Sequence, residues 1–600
     1  MEILYNSRDK YYKSPFGCLR ENEKCTIRIK VPSEATVTDI KLNIFNEDGF
    51  SMLAPLKLTD SRNQYHIYSL EFCLFAKGLY FYKFNVCTKD SNFEVYKNGD
   101  GTNIGSGDLW QITCYDKDYD TPDDFKGKVM YQIFPDRFFK SGECDLKDKL
   151  KPFTIHANTE DVPFYKPDEN GKILNNDFFG GNLKGIEEKL YYISELGVKV
   201  IYLNPIFYAF SNHRYDTADY KKIDSMLGTE KDFISLCKSA HNLDMKVILD
   251  GVFSHTGSNS VYFDKECIFG NGAVSNVNSL YKDWYTFQNY PYQYTSWWGI
   301  DTLPCVNEME KSYMDYIIFG EDSVVEHWLR LGADGFRLDV ADELPDDFIC
   351  AFKKRLKEIK PDALLIGEVW EDASNKISYG NRRKYLLGGE LDSVMNYPFK
   401  NCILNFVKGD ISGFEFAKCV MDIVENYPKP IMDCTMNLIS THDTKRALTF
   451  LSGASDNMTK DEKAYFALEG TELSRAISLI KCASILQFTL PGSPCIYYGD
   501  EIGMQGFEDP FNRGYFKWKD TECDLHLFYK KLAKLKNNNK PLQVGDISIC
   551  AKGERYVKFS RSFGDETIFT EISFGGEIAP GDNELFSYRT EFVNAVVVKE

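Results

Sequence analysis

The pattern of apolar and polar positions changes twice along the chain. Over residues 1–118 the runs CTIRIKVP, TDIKLNIFN, YHIYSLEF, GLYFYKFNV and LWQITCY alternate apolar with polar side chains, between breaks rich in Gly, Asn, Asp and Ser. Alternation with a period of 2 predicts half-buried strands, and several of them bury one another as a β-sandwich. From about 119 the runs become short and almost continuously apolar: VMYQIFPDRF, VKVIYLNPIF, KVILDGVFSH, GFRLDVADE, ALLIGEVW, DSVMNYPF, NLISTHD and PCIYYGDE. Helical stretches such as IEEKLYYISELG, EKDFISLCKSAHNLD and SVVEHWLRLG separate the early ones. Eight strands buried on both faces, crossing through helices, predict an α/β chain built on a (β/α)8 barrel over 119–525. Residues 526–600 return to short alternating strands (ISICAKGE, RYVKFSRSF, TIFTEISF, FVNAVVVKE beyond about 540), which predict a small C-terminal β-sandwich domain.

Two crossovers of this TIM-type barrel are stretched. Residues 256–310, rich in Asn, Tyr, Trp and Ser, form an insertion domain after the third strand, and 140–180 form a long loop after the first. Loops that follow barrel strands lie on the face where barrels carry their sites.

Composition narrows the partners. A net charge of −18 repels phosphate backbones and anionic lipid, so neither nucleic acid nor a membrane surface is expected as a partner. The 15% aromatic content suits β structure and also platforms for sugar rings. The 17 cysteines show no CxxC repeat and no zinc spacing, which predicts free, mostly buried thiols in a reducing compartment. The first residues, MEILYNSRDKYYKSPF, carry no export pattern, and no apolar run reaches membrane-spanning length, so a cytoplasmic location is expected.

Ionisable side chains crowd the ends of the barrel strands. Asp250 and His255 end the third, Arg337 and Asp339 the fourth, Glu368 the fifth, and His442 and Asp443 the seventh. Packing a barrel needs only apolar filler there, whereas cleaving a glycosidic bond needs two carboxyl groups in different protonation states. Arg337 and Asp339 are two apart on one strand and leave the same face, so the guanidinium is expected to lower the pKa of Asp339 and keep it anionic for attack. Glu368 sits in LLIGEVW, whose apolar walls are expected to raise its pKa toward that of a general acid.

The strings DGVFSH, GFRLDVADE, GEVW and ISTHD, in that order on successive strands, resemble the signature regions of the α-amylase family, and VKVIYLNPIF and GSPCIYYGDE match two further regions. The resemblance implies a retaining glycoside hydrolase with Asp339 as nucleophile, Glu368 as acid/base and Asp443 as the third carboxylate. It implies that Asp250, His255, Arg337 and His442 line the subsite at the cleaved bond. SNHRYDTADY, LPCVN and DPFNR resemble the neopullulanase, cyclomaltodextrinase and maltogenic amylase subgroup. There His213 and Tyr215 line the site, Tyr215 stacking on the sugar, and Asp509 and Arg513 hold the next sugar on the non-reducing side. The implied ligands are α-glucan oligosaccharides with α-1,4 and α-1,6 bonds. The implied N-terminal module is starch-binding-like, and the implied assembly is a homodimer in which that module covers the partner's cleft.

The chain departs from the family pattern in places. Ser254 stands where the family has a calcium-binding Asn, and Asn182 where the subgroup has Asp, with only Glu143 and Asp145 nearby. A hard cation wants a denser oxygen set, so no calcium and no other cofactor is expected to be required. Asp342 replaces the usual Asn, which leaves bond and acceptor preference open. Trp297 and Trp298 fit either a sugar platform or the core of the insertion domain. Two other activities use the same carboxylates, a glucanotransferase and an α-1,6-cleaving pullulanase. An inactive glucan-binding protein would lack one of the three carboxylates, and a phosphate-binding barrel would open a Gly-rich loop that PGSPCIYYGDE does not.

Overall fold

The computed structural model describes residues 2–581 and 583–600. By internal contacts the chain divides into two compact units. The first holds residues 1–121 together with 371–392 and 418–432. The second holds 122–370, 393–417 and 433–600.

The first unit is built on two antiparallel-rich sheets, of four and seven strands. Burial alternates strictly along Cys25–Pro32 and nearly so along Gly78–Thr88, as the sequence alternation requires. Its core is aromatic: Tyr82 stacks on Trp110 at 5.5 Å, and Tyr5 and Phe84 meet Trp110 edge-on. The aromatics of GLYFYKFNV at Tyr80, Tyr82 and Phe84 are therefore spent on the module's own interior. Arg8 ties this unit's last segment to its sheets, pairing with Asp422 and with the buried Glu425 at 3.1 Å.

The second unit contains an eight-stranded parallel sheet: β1 (Met130–Ile133), β2 (Val200–Leu203), β3 (Lys246–Gly251), β4 (Gly335–Leu338), β5 (Leu364–Gly367), β6 (Ser393–Val394), β7 (Met436–Asn437) and β8 (Ser493–Tyr497). The strands run side by side in the order β6-β5-β4-β3-β2-β1-β8-β7. A parallel bridge between Met395 and Met436 closes β6 onto β7. The (β/α)8 barrel is thus the observed fold. Helices return the chain between strands, for example Glu230–Asn242, whose start is fixed by a reciprocal Thr229/Asp232 capping box. Gly335 has φ +154°, and a Cβ there would lie 2.1 Å from the Leu364 carbonyl oxygen, so only glycine lets β4 and β5 approach this closely.

The period of 2 decides what the barrel interior contains. Met130, Val200, Ile248, Leu364 and Ile366 point into one buried cluster. The residues two positions further along the same strands are Gln132, Tyr202, Asp250 and Glu368. Apolar filler gives way to polar groups toward the C-terminal ends. The insertion after β3 is a small layer with a hairpin at Phe287–Asn289 and Gln293–Tyr294, held to the strand end by a bridge between His255 and Cys305. The C-terminal sheet is antiparallel, five strands between Asp546 and Lys599.

Fifteen cysteines are free thiols, whereas Cys402 and Cys419 are disulfide-bonded, which corrects the expectation of free thiols for those two. Among the described residues no helix is long and apolar enough to cross a membrane.

Candidate active site

Strand register places the central charges. Asp250 on β3 pairs laterally with Arg337 on β4, so one guanidinium meets a carboxylate from the neighbouring strand and one from its own. Arg337 Nη1 lies 2.8 Å from Asp250 Oδ1 and 2.7 Å from Asp339 Oδ1, and Nη2 lies 2.7 Å from Glu368 Oε2. Arg337 is fully buried, and Asp339 and Glu368 are each 6% exposed. Three buried carboxyls share one cation.

Charge repulsion and desolvation act together on this cluster. Burial pushes the Asp339 carboxyl well above the ordinary range; Arg337 opposes the rise, and Glu368 and Asp250 add to it. The expected lowering by Arg337 alone is therefore corrected: the guanidinium is divided among three acids, and desolvation outweighs it. Asp443 is pushed up to about 7, first by burial and then by Glu368.

Glu368 does not stand among apolar walls alone, a second correction. Its Oε2 accepts from the Val340 backbone N–H at 2.8 Å, and its Oε1 accepts from the Trp370 indole at 3.0 Å. The Val340 donor is aimed by a left-handed backbone, φ 42°, a conformation a β-branched residue rarely adopts and one that marks functional sites. Trp370 lies flat on Tyr397, with ring centroids 4.1 Å apart and planes within 8°. It is 45% exposed, so an indole face stands open beside Glu368.

A second network orients the opposite wall. The Tyr215 hydroxyl donates to Asp250 Oδ2 at 2.9 Å and lies 2.6 Å from His442 Nε2. The Gln132 amide donates to His442 Nδ1 at 2.9 Å, which leaves the proton on Nε2, facing Tyr215 and Asp443 Oδ2 at 3.1 Å. Tyr202 donates to Asp250 Oδ2 at 2.6 Å. His255 Nε2 donates to the Tyr215 carbonyl at 3.1 Å, so its Nδ1 accepts from Ser254 at 3.0 Å. Burial pushes His255 down to about 4, and it stays neutral over most of the pH range. Arg513 donates to the His442 carbonyl at 2.9 Å, approaches Asp443 at 3.5 Å and pairs with Asp509 at 2.8 Å. His213 stacks behind Tyr215, ring centroids 5.9 Å apart, and accepts from the Tyr215 N–H.

Asp250, His255, Arg337, Asp339, Glu368, His442, Asp443 and Tyr215 thus converge in one network, with Arg513 and His213 directly behind it. Asp509 joins only through Arg513, with its side chain 45% exposed. Trp298 is 77% exposed and donates to Glu343 at 3.1 Å, so it is not part of the insertion's core. Sequence reasoning passed over Trp370, Gln132, Asn204 and Tyr202. The signals were present: Trp370 follows Glu368 by two, Gln132 is an amide inside the otherwise apolar β1, and Asn204, which donates to the Tyr215 hydroxyl at 3.0 Å, is an amide directly after the apolar β2.

The positions foreseen as calcium ligands are otherwise engaged. Asn182 Oδ1 caps the helix Leu183–Glu188 through the Gly185 N–H at 2.7 Å, and Glu143 pairs with Lys140 at 2.9 Å. Among the described residues no group of three or more His, Cys, Asp or Glu side chains is placed to hold a metal.

A barrel with acids at its strand ends defines a class, and comparison with known proteins names it. A family profile described as alpha amylase, catalytic domain, matches residues 132–542, and the chain belongs to that family. It is 35% identical to an amylopullulanase of Thermoanaerobacter thermohydrosulfuricus over 96% of this chain and 41% of that protein. It is 33% identical to a cyclomaltodextrinase of Geobacillus thermopakistaniensis over 77% of this chain and 71% of that one. Among solved structures it resembles a cyclic α-maltosyl-(1→6)-maltose hydrolase of Arthrobacter globiformis, with a TM-score of 0.62, 27% identity, and coverage of 76% and 92%. The chain spans less than half the length of the amylopullulanases it matches, at 41%, 32% and 47%.

Proposed function

We propose that this chain is a retaining α-glucan hydrolase of neopullulanase type, cutting α-1,4 and also α-1,6 bonds of maltooligosaccharides, cyclodextrins or pullulan. The observation that carries the reading is the single Arg337 guanidinium bridging Asp339 and Glu368. Two carboxyls on one guanidinium fit the close spacing, about 5–5.5 Å, of double displacement. Glu368 gives its proton to the glycosidic oxygen as the bond to the anomeric carbon breaks, and Asp339 forms an ester to that carbon. Water then attacks the same carbon, giving a proton back to Glu368 and releasing Asp339. Asp443 and His442 take sugar hydroxyls, and Tyr215 stacks on the ring held at the nucleophile. The relatives' names support this substrate class: an amylopullulanase, a cyclomaltodextrinase and a neopullulanase. The test is a product time course on maltoheptaose, β-cyclodextrin and pullulan. Short linear products with retained anomeric configuration are expected; products longer than the substrate would make the enzyme a glucanotransferase, and cleavage of pullulan alone a pullulanase.

The remaining expectations belong to the same proposal. No calcium is required, because the loop positions that would ligate it already serve a helix cap and an ion pair. The compartment is the cytoplasm; the fifteen free thiols support this, and the disulfide-bonded Cys402 and Cys419 weigh against it. Cell fractionation decides. The assembly is a homodimer through the N-terminal module, whose exposed Leu53, Leu58 and Phe75 offer an apolar surface. Light scattering at micromolar concentration tests it: a mass near 69.0 kDa would exclude the dimer.

A further inference from the structure

The chemistry proposed above needs donors and acceptors that already face the right way when a sugar arrives, because turning them during the reaction costs rate. Around Asp250 and Asp443 that direction is set by two carboxamides whose own hydrogen bonds go to neither acid. Gln132 is the third residue of β1, and Asn204 directly follows β2. Gln132 pairs laterally with Tyr202, and the Asn204 N–H donates to the Ile133 carbonyl at 3.0 Å. Both side chains are buried, as is His442.

The bonds form a chain with one polarity. One Gln132 side-chain N–H donates to His442 Nδ1 at 2.9 Å, and the other to Asn204 Oδ1 at 3.0 Å. Asn204 Nδ2 in turn donates to the Tyr215 hydroxyl at 3.0 Å. With Nδ1 occupied as an acceptor, His442 carries its proton on Nε2, where it meets the Tyr215 hydroxyl at 2.6 Å and Asp443 Oδ2 at 3.1 Å. The Tyr215 oxygen thus accepts twice, and its single proton goes to Asp250 Oδ2 at 2.9 Å. Tyr202 and Arg337 donate to the same carboxylate at 2.6 and 2.8 Å. Burial, and after it the neighbouring Arg513, Arg337 and His213, push His442 well below the usual imidazole range. The ring therefore holds one proton, on one nitrogen or the other.

We propose that Gln132 is a positioning residue: its amide fixes the Nε2–H form of His442 and, with Asn204, the direction of the whole chain, so that Tyr215 donates to Asp250 and His442 to Asp443. Turning the Gln132 amide alone would set its Oε1 against Asn204 Oδ1, so Asn204 would have to turn with it. The Asn204 oxygen would then claim the Tyr215 proton, and Asp250 would lose that donor. His442 would carry its proton on Nδ1 and present a lone pair to Asp443. Both acids thus depend on the order of nitrogen and oxygen in one side chain of β1. The effect on rate rests on the hydrolase reading; the placement of the proton does not.

The test exchanges one atom in the full-length protein. Gln132→Glu keeps the shape of the side chain but accepts at both contacts, which reverses the chain. Histidine with isotopically labelled ring nitrogens reports by NMR which nitrogen carries the proton. The chain has 8 His, and the His442 signals are identified by their loss in His442→Asn. In the wild type Nδ1 is expected to be imine-like and Nε2 protonated. In Gln132→Glu Nδ1 should be protonated, and kcat/KM on maltoheptaose should fall about 10–100-fold, the size of one misdirected hydrogen bond to a charged group. A merely structural residue would lower the melting temperature and leave the tautomer alone. Gln132→Met fills the space without a donor and carries the test if the glutamate variant fails to fold; it should show both tautomers and lose about fivefold or more in rate. A proton on Nδ1 in the wild type, an unchanged tautomer in the variants, or a wild-type rate beside an altered tautomer overturns the proposal. If the spectra behave as expected but the wild type releases no reducing ends from any α-glucan, the hydrolase reading has failed instead.

Discussion

Arg337 Nη1 lies 2.7 Å from Asp339 Oδ1, and both groups are buried where two further carboxyls compete for the same guanidinium. Asp339→Asn removes one negative charge from this cluster while keeping the shape of the side chain. Turnover on maltoheptaose should fall by about 10⁴-fold or more, because no covalent intermediate can form. The melting temperature should stay level or rise, since an electrostatic conflict at a functional site is relieved. Steady-state rates beside a thermal melt check both; retention of several per cent of the activity would take the nucleophile role from Asp339.

Glu368→Gln keeps an acceptor oxygen for one of its two donors, the Val340 N–H or the Trp370 indole, and carries no acidic proton. Loss on natural glucans should be about 10²–10⁴-fold. Maltosyl fluoride, whose leaving group needs little protonation, should lose far less in the first step. Parallel kinetics on the two substrates are the measurement, and equal losses would rule out the acid role.

Asp443 gives a signed pH dependence. Its pKa is pushed up to about 7 from an ordinary 3.8, so between these values the folded protein binds more protons than the unfolded chain. This contribution to stability is present at the low end and is lost as pH rises through about 7. Asp443→Asn cannot ionise, so it should melt with the wild type near pH 4 and about 1 °C above it at pH 8, for roughly 1 kcal/mol after screening set against the large unfolding entropy of a long chain. A difference that does not grow between the two pH values would show that Asp443 is not held protonated.

Removal of divalent ions should change little. Asn182 serves a helix cap and Glu143 pairs with Lys140, so chelation is expected to find no structural ion to remove. Thermal melts with EDTA and with added calcium should superimpose. A fall of several degrees that calcium restores would locate a site these side chains do not suggest.

Much of the site was legible because it obeys a local rule. Side chains two apart on a strand share a face, so the order of Ile248 and Asp250, of Arg337 and Asp339, and of Ile366 and Glu368 already says which groups end up inside and at which end. The same rule made the barrel readable as eight short apolar runs. What the sequence by itself determined, then, is the inventory of acids, the strands that carry them and the face they share.

Only the tertiary structure decided how those groups act on each other. The direction of the Asp339 shift could not be read from the Arg-x-Asp spacing, because burial and the acids of β3 and β5 outweigh the one neighbour the sequence displays. The Trp370 platform depends on Tyr397, 27 positions later, lying beneath it. Tyr165 meets Asp461 and Phe511 across hundreds of residues. Proximity of this kind is set by closure of the barrel, which brings β8 beside β1 and β7 beside β8; periodicity along the chain carries no trace of it, because it records only what each residue does relative to its own strand.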